Sequence, residues 1–369
     1  MIAGVWRVAA AALLAAVVSA ASARAADPLG RYPVDAAQVS VAGISSGAFM
    51  ASQLHVAHSA GIMGVGIVAG GPFGCAVDRV TGDGVVGLAS LAVGPCMSVP
   101  TLLKPVSAYA GLAASLAERG WIDPLQNLAR SKVYAFAGKA DRVVDPKSGE
   151  LAVSLYRALG VPQSQIAFRD RDLPGTGAGH SWVTSNFGNA CDANASPYIN
   201  KCGYDQAGDL LKTLYGALQP RVDRPAGRIV SFDQTQFVPK GAVAANGLSQ
   251  TGFLFVPRDC EPGAAEPCRL SIVLHGCLQS AEVLGDEFHT KVGVNEWADR
   301  NRIVVLYPQA HATTASELAS LGVLAPFETN PNGCWNWWGY AGDKRFLTRQ
   351  GAQIDAIWSM VRRITGQGN

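Results

Sequence analysis

The chain has 369 residues, 49% of them hydrophobic and 16% charged, and a formal net charge of +2 at pH 7. This composition is that of an ordinary globular protein with enough apolar residues to build a core. The nearly balanced charge, without a Lys/Arg cluster, argues against nucleic acid or an anionic membrane surface as a partner.

The first 26 residues have the pattern of a secretory signal peptide. Arg7 supplies the positive charge, Val8 to Val18 an apolar core too short to span a bilayer, and Ala21 to Ala26 a small-residue cleavage site. A membrane anchor is the alternative, but the small flanking residues favour cleavage. The sequence therefore predicts a mature chain of residues 27–369, secreted or periplasmic, with no membrane anchor after cleavage.

The first predicted element of the mature chain is a buried strand, Val39 to Ile44. It runs into the turn "GISSG" and an amphipathic helix from Ala48. A strand, a tight Gly-x-Ser-x-Gly turn and a helix are the pattern of a nucleophile elbow. A second strand, Ile62 to Gly71, follows the helix. The Gly-rich residues 72–100 after it indicate a long loop or short helices.

Strands and helices then alternate as in an α/β domain. The next predicted elements are a helical region ending in Pro124 to Arg130, a strand Lys132 to Ala137, a helix Lys147 to Leu159, a strand Gln165 to Asp170, a loop Leu173 to Trp182 and a helix Ala207 to Leu218. From Arg224 the pattern changes to short segments that alternate like antiparallel strands. Two buried strands, in "RLSIVLHGC" and "RIVVLYPQA", and a closing helix, Arg349 to Ile364, complete the chain.

The elbow comes early in the chain. In other α/β hydrolases several strands precede the elbow, and residues 27–38 leave no room for them here. Residues 225–369 have the pattern of that missing first half: antiparallel strands, a strand ending in His-Gly, another strand and a helix. Because the termini of compact domains often lie close together, such a permutation is physically easy. The sequence thus predicts one circularly permuted α/β-hydrolase domain, residues 27–369, with a mostly parallel sheet.

The candidate nucleophile is Ser45, in the middle of the elbow. A serine hydroxyl is a weak nucleophile until a base takes its proton, so it requires a histidine and an orienting acid. Gly43 and Gly47 suit a turn in which a side chain would clash. The alternative is a glycine-rich strand–helix junction that only happens to contain serines.

The candidate acid and base are Asp141 and His180. Asp141 follows the strand Lys132 to Ala137, at the strand end where α/β proteins collect catalytic groups. A helix cap or turn residue is the alternative for it, and that is our interpretation of Asp145. His180 lies in the Gly-rich segment "GTGAGHSW" and completes the chain order Ser, Asp, His.

The other histidines are weaker candidates. His55 and His58 have the spacing of a metal pair on the elbow helix, but no acidic third ligand lies nearby, so we interpret them as ordinary helix-surface or core residues. His289 and His311 lack a glycine-rich loop to present them. The sequence predicts no metal site and no cofactor.

The oxyanion formed in such a reaction needs two backbone N–H donors. One comes from the residue after the nucleophile, Ser46, and the other from the loop after the His-Gly strand. "HGC" at His275 to Cys277 makes Cys277 the candidate for the second donor. A core strand that ends in a turn is the alternative interpretation.

Eight cysteines in an exported chain indicate disulfides. Pairing between sequence neighbours is the simplest hypothesis, although spacing alone does not determine it: Cys75–Cys96, Cys191–Cys202, Cys260–Cys268 and Cys277–Cys334. Zinc is the rival interpretation, and the lack of a Cys-x-x-Cys pair argues against it.

An aromatic segment, "NGCWNWWGY", surrounds Cys334. If Cys277–Cys334 forms, Trp335, Trp337 and Trp338 would line the substrate cleft; a buried aromatic cluster is the alternative. Asn194-Ala195-Ser196 is a glycosylation sequon by pattern only.

These segments resemble the poly(3-hydroxybutyrate) depolymerase family, in particular its single-domain, circularly permuted members. The resemblance rests on "GISSGAFMA", "VYAFAGKADRVV", "GAGHSW", "IVLHGCLQ" and "NEWADRNRIVVLYPQ" and spans roughly residues 35–365. It implies hydrolysis of polyhydroxyalkanoate esters through an acyl-enzyme, without a cofactor, by Ser45, Asp141 and His180. It also implies a polymer or oligomer as the partner. We expect a monomer.

Two alternatives remain at the level of sequence. A carboxylesterase of the same fold acting on feruloyl or acetyl esters would have the same triad. A non-catalytic polymer-binding protein would not need a complete set of Ser, Asp, His and oxyanion donors. The chain lacks the separate binding domains of many secreted members, so we expect weak binding to crystalline polymer.

Overall fold

The computed structural model describes residues 26–170, 177–238, 246–320 and 329–367. The predicted signal peptide, except for Ala26, and the first part of the predicted loop Leu173 to Trp182 lie outside the described residues. Of the helices described, none is long and apolar enough to cross a membrane.

A mixed sheet of eight strands forms the centre of the fold. The strands of the chain are β1 Val34–Ile44, β2 Gly64–Val68, β3 Val77–Val80, β4 Val85–Gly87, β5 Lys132–Phe136, β6 Ile166–Arg169, β7 Trp182–Thr184, β8 Ile199–Lys201, β9 Arg228–Asp233, β10 Thr251–Val256, β11 Cys268–Leu274 and β12 Ile303–Tyr307. The eight run in the order β6-β5-β2-β1-β11-β12-β10-β9, while β3–β4 and β7–β8 form two small sheets. Every pair in the large sheet is parallel except those of β10, which runs antiparallel to both neighbours. The prediction of a mostly parallel sheet is confirmed.

Helices cover both faces of this sheet. The α-helices are α1 Ser46–Ala57, α2 Ala89–Leu91, α3 Val106–Glu118, α4 Pro146–Ala158, α5 Gln206–Tyr215, α6 Ala281–Leu284, α7 Glu287–Lys291, α8 Val294–Arg300, α9 Ala315–Ser320 and α10 Ala352–Thr365. A π-helical turn, Ala92–Ser98, continues α2, and short 3₁₀ helices occur at Pro100–Leu102, Leu125–Arg130, Gln163–Gln165, Gln234–Phe237, Arg258–Cys260 and Tyr340–Gly342. Core residues of α1, α3, α4 and α10 pack on one face, and those of α5, α7 and α8 pack on the other.

The strand order agrees with a permuted chain. Counted from β9 and leaving out the small sheets, the order reads 1-2-4-3-5-6-7-8, with only the second strand antiparallel. The Tyr32 N–H donates to Ile364 O at 2.9 Å, so the segment that precedes β1 lies against the end of α10. Both features are what a permutation requires, and the permutation itself stays a prediction.

Two details differ from the expectations. The elbow helix α1 is not amphipathic, because all of its residues from Ser46 to Ala57 are buried. The Gly-rich region 72–100 contains the hairpin β3–β4, which the sequence did not predict as strands. Its turn is held by Thr81, whose hydroxyl contacts Asp83 Oδ1 at 2.8 Å and Gly84 O at 3.0 Å.

The histidines of α1 belong to the core. The ring nitrogens of His55 meet the hydroxyls of Tyr156 at 2.9 Å and Ser131 at 3.0 Å, and burial lowers the pKa of His55 to about 3. The ring of His58 stacks on Trp358 with centroids 4.5 Å apart. Burial and two nearby arginines lower the pKa of His58 to about 3 as well. Both rings are therefore neutral core groups.

These buried rings predict a loss of stability in acid. A group whose pKa is lower in the folded than in the unfolded state binds more protons when unfolded, so the free energy of unfolding decreases as pH falls below ~6.5. We expect the melting temperature, measured by calorimetry, to decrease from about pH 7 to about pH 4.5. The change His58→Phe keeps a ring against Trp358 and should make this decrease shallower. Equal melting temperatures across the range would contradict the neutral state of these rings.

Candidate active site

The turn at Ser45 has the backbone geometry of a nucleophile elbow. Ser45 lies between β1 and α1 with φ 56° and ψ −123°, a conformation that non-glycine residues rarely adopt. Its N–H donates to Val68 O and its carbonyl accepts from the Ala48 N–H, both at 2.9 Å. Such a conformation costs about 1–3 kcal/mol and persists only where the surroundings hold it. The packing therefore holds the serine at the carboxyl end of β1.

The two glycines of the turn are required by close backbone contacts. A Cβ on Gly43 would lie 2.3 Å from Gly47 O. A Cβ on Gly47 would lie 2.3 Å from His275 O, on the loop after β11. Glycine at both positions thus lets the elbow pack directly against that loop.

Asp141 is fixed in the loop that follows β5. Its Oδ1 accepts from the N–H groups of Val143 at 2.8 Å and Val144 at 2.9 Å. Its Oδ2 lies 2.8 Å from His180 Nδ1. Asp145, in contrast, caps α4, where its side chain accepts from the Lys147 N–H. The two carboxylates therefore have different partners: Asp141 contacts a histidine, and Asp145 caps a helix.

The Asp141–His180 pair is formed and buried. Asp141 is 8% exposed and His180 is 3% exposed. Because a carboxylate only accepts hydrogen bonds, His180 Nδ1 is the donor in this pair, and Nε2 lies outside the bond. Within the described residues no hydrogen bond joins Ser45 to His180. Such bonds are often loose in unliganded hydrolases.

The loop after β11 brings Cys277 to the elbow. A Cβ on Gly276 would lie 3.1 Å from Ser45 Cβ, so the two turns are in contact. In the part of the chain that the structure describes, the N–H groups of Ser46 and Cys277 have no hydrogen-bond partner. Both residues line the same cavity as Ser45. Both N–H groups are therefore free to bind an acceptor next to Ser45.

The buried side chain of His275 supports this loop. The sequence did not predict this role of His275. His275 Nδ1 lies 2.7 Å from Gly276 O, and Nε2 accepts from the Ala310 N–H at 3.0 Å. Burial lowers the pKa of His275 to about 4, so the ring is neutral at pH 7 and Nδ1 is the donor. The side chain thereby fixes the backbone immediately before Cys277.

The aromatic segment is bound to the same loop. Cys277 and Cys334 are bonded, with an S–S distance of 2.01 Å, and the Leu278 N–H donates to Asn332 O at 2.7 Å. Trp337 and Trp338 line the cavity of about 200 Å³ that also contains Ser45. Trp337 stacks on Phe49 with ring centroids 3.9 Å apart.

The prediction that Trp335 lines the cleft disagrees with the structure. Its side chain is 0% exposed and does not line the cavity. Its Nε1–H donates to His275 O at 2.9 Å. This ring therefore lies in the core, where it supports the loop of Cys277.

The remaining cysteines pair as neighbours. The structure joins Cys75 to Cys96, Cys191 to Cys202 and Cys260 to Cys268, and no described cysteine is free. The first bridge lies near the cavity, because Cys75 and Cys96 pack in one cluster with Phe49 and Trp337.

A chain built in this way is an α/β hydrolase. No protein-family model matches it. A poly(3-hydroxybutyrate) depolymerase of Delftia acidovorans is 37% identical over 363 residues, which cover 97% of this chain and 66% of that protein. A polyhydroxybutyrate depolymerase of Talaromyces funiculosus is 35% identical over 348 residues, which cover 92% of this chain and 93% of that protein. The chain therefore belongs to the polyhydroxybutyrate depolymerase family.

Solved structures agree with this assignment. The crystal structure of PHB depolymerase from Penicillium funiculosum matches with a TM-score of 0.76 and 31% identity, over 93% of this chain and all of that one. A PHB depolymerase with a serine-to-alanine change, complexed with an R3HB trimer, matches with the same TM-score of 0.76. The predictions of an α/β-hydrolase fold and of this family are confirmed.

Proposed function

We propose that the protein is an exported serine esterase that hydrolyses poly(3-hydroxybutyrate)-type polyester through an acyl-enzyme. One observation carries the proposal: the strained Ser45 turn and the free N–H groups of Ser46 and Cys277 border one cavity, and none of the described residues that line it is charged. A relative of the same fold binds an R3HB trimer. A neutral ester chain fits such a cavity, since no charge of the substrate needs a counter-ion.

The proposed mechanism assigns one role to each of these side chains. Ser45 Oγ attacks the ester carbonyl carbon while His180 Nε2 takes its proton, and Asp141 stabilises the imidazolium. The carbonyl oxygen becomes an oxyanion that accepts from the N–H groups of Ser46 and Cys277. Collapse of this intermediate breaks the ester bond, and His180 returns the proton to the leaving hydroxyl. Water, deprotonated by the same nitrogen, then releases the acyl group and restores Ser45.

The surface beside the cavity supports a polymer rather than a small substrate. Residues 88–102 line one side of the cavity through Ala89, Ala92, Val93 and Met97. Exposed apolar side chains of the same segment are Leu88 at 38%, Val93 at 58%, Val99 at 40% and Leu102 at 64%. Four of the six exposed large hydrophobic side chains of the described residues thus lie in this one segment, and a concentration of exposed apolar residues marks an interaction surface. We infer that an apolar polymer chain contacts it.

Export and permutation complete the proposal. Four disulfides are typical of an oxidising compartment, and they support the signal peptide, with secretion and periplasmic location both compatible. The strand order supports the permuted chain. We propose a monomeric catalytic domain that needs neither a metal nor another cofactor.

The product released from polymer tests this function. We expect the purified protein to release 3-hydroxybutyrate or its oligomers from an amorphous polymer suspension, and to act more slowly on crystalline film. Chromatography of the soluble products measures both rates. Parallel assays use p-nitrophenyl butyrate, methyl ferulate and an acetylated polysaccharide. Rapid hydrolysis of feruloyl or acetyl esters without release from amorphous polymer would favour the carboxylesterase alternative. Binding to polymer without any hydrolysis would favour the binding-protein alternative.

A further inference from the structure

The side chain of Asn194, the first residue of the sequon, is engaged inside the fold. Its Oδ1 accepts from the His180 N–H at 2.9 Å and from the Arg142 N–H at 2.9 Å. Its Nδ2 donates to Ala140 O at 3.0 Å and to Asp192 O at 3.1 Å. The amide therefore uses both its acceptor and its donor for backbone groups.

These contacts surround the acid and the base. Ala140 and Arg142 are the residues on either side of Asp141, and His180 is bound through its own N–H. We propose that Asn194 is a positioning residue, which holds the loop of Asp141 and the loop of His180 at the separation that their hydrogen bond needs. This inference rests on the proposed serine-esterase function.

The segment that carries Asn194 is well suited to hold it still. The Cys191–Cys202 disulfide closes the segment, and Asn200 Nδ2 donates to Cys191 O and Ala193 O at 2.8 Å. The Gly179 N–H, next to His180, donates to Cys191 O at 2.9 Å. A Cβ on Gly179 would lie 2.2 Å from Ala193 O, so the two backbones are in direct contact.

Asn194 is needed because neither the loop of Asp141 nor the loop of His180 fixes the position of one side chain relative to the other by itself. The bonds of Asp141 Oδ1 to Val143 and Val144 are internal to its own loop, so they orient the carboxylate but do not place it relative to His180. Between the loops, a backbone bond from Ala140 N to Ala178 O, at 3.0 Å, lies near the pair. The Asn194 amide adds contacts on both sides of Asp141. The same Nδ2 atom would carry a glycan, so the sequon is better explained by this internal role.

Two asparagine variants of the same segment test the inference. Asn194→Ala should lower kcat on p-nitrophenyl butyrate by about 10²-fold, the effect of a displacement near 1 Å, with KM changed by less than about twofold. The matched control is Asn189→Ala. It removes two similar bonds, from Nδ2 to Ala195 O at 3.0 Å and Ser196 O at 3.1 Å, which do not involve Asp141 or His180. It should keep a wild-type kcat, whatever its melting temperature.

Combination with Asp141→Asn separates positioning from a general loss of structure. If Asn194 acts through the pair, Asn194→Ala should cost less than about threefold further in the Asp141→Asn background. Asn194→Asp keeps the acceptor and loses the donor, so its kcat should lie between Asn194→Ala and wild type. A wild-type kcat in Asn194→Ala, or equal fold-losses in both backgrounds, would overturn the inference. An inactive wild-type protein would instead refute the proposed function.

Discussion

Ser45→Ala is expected to lower kcat on ester substrates by roughly 10⁶-fold, because removal of the nucleophile from a serine triad leaves only binding and oxyanion stabilisation. Alanine pays a backbone strain similar to that of serine at φ 56°, and the side chain is small, so the fold should be intact. Initial rates on p-nitrophenyl butyrate and the release of 3-hydroxybutyrate from amorphous polymer measure the loss. The melting temperature should stay close to that of the wild type.

The neighbouring serine provides a matched control. Ser46→Ala keeps the backbone N–H proposed for the oxyanion and removes only a side-chain contact, in which Ser46 Oγ lies 3.4 Å from the Trp335 N–H. It should lose no more than about tenfold in kcat. A severe loss in Ser46→Ala together with high activity in Ser45→Ala would show that Ser46, and not Ser45, is the nucleophile.

Local patterns in the sequence were sufficient for most of the sheet. Strands such as β2, β5 and β12 are continuous apolar runs because both of their faces are covered by helices, and such runs are easy to recognise. The hairpin β3–β4 was missed since only Val77 and Val85 of its residues are buried. Half-exposed short strands have a weak hydrophobic pattern.

The candidate site was predictable where its residues lie in one short sequence motif. Gly43 and Gly47 are needed because a Cβ on either residue would lie 2.3 Å from a backbone oxygen. This constraint produces the Gly-x-Ser-x-Gly pattern that is recognisable in the sequence. Asp141 and Asp145 were also distinguishable, because an aspartate directly before a proline is typical of a helix N-terminus. Here the local sequence and the tertiary structure impose the same requirement.

Contacts between distant segments were not predictable in the same way. Trp335, Trp337 and Trp338 are the same residue type within four positions, and only their packing decides that the first supports His275 while the others face the cavity. Asn194 was visible only as a sequon, since its partners at Arg142 and His180 lie 52 and 14 residues away. A single sequence contains no local signal for such pairs.

Asp141→Asn is expected to lower kcat by about 10⁴-fold, because a neutral amide neither holds the required tautomer of His180 nor stabilises the imidazolium. The Oδ1 contacts to Val143 and Val144 remain possible for an asparagine, so the loop should keep its conformation. The rate on p-nitrophenyl butyrate at saturating substrate measures kcat, and the melting temperature controls for misfolding. KM should change little, since Asp141 is buried and does not line the cavity.

Asp145→Asn is the matched control for this loss of charge. Asp145 caps α4 with a 2.9 Å bond from the Lys147 N–H, and asparagine is an almost equally good cap. Its kcat should therefore stay near that of the wild type, with a stability change of at most about 1 kcal/mol. The two aspartates lie in the same loop, four residues apart, so a general disturbance of the loop would affect both variants alike. Full activity in Asp141→Asn together with a large loss in Asp145→Asn would move the acid to Asp145 and leave the 2.8 Å bond between Asp141 and His180 without a catalytic role.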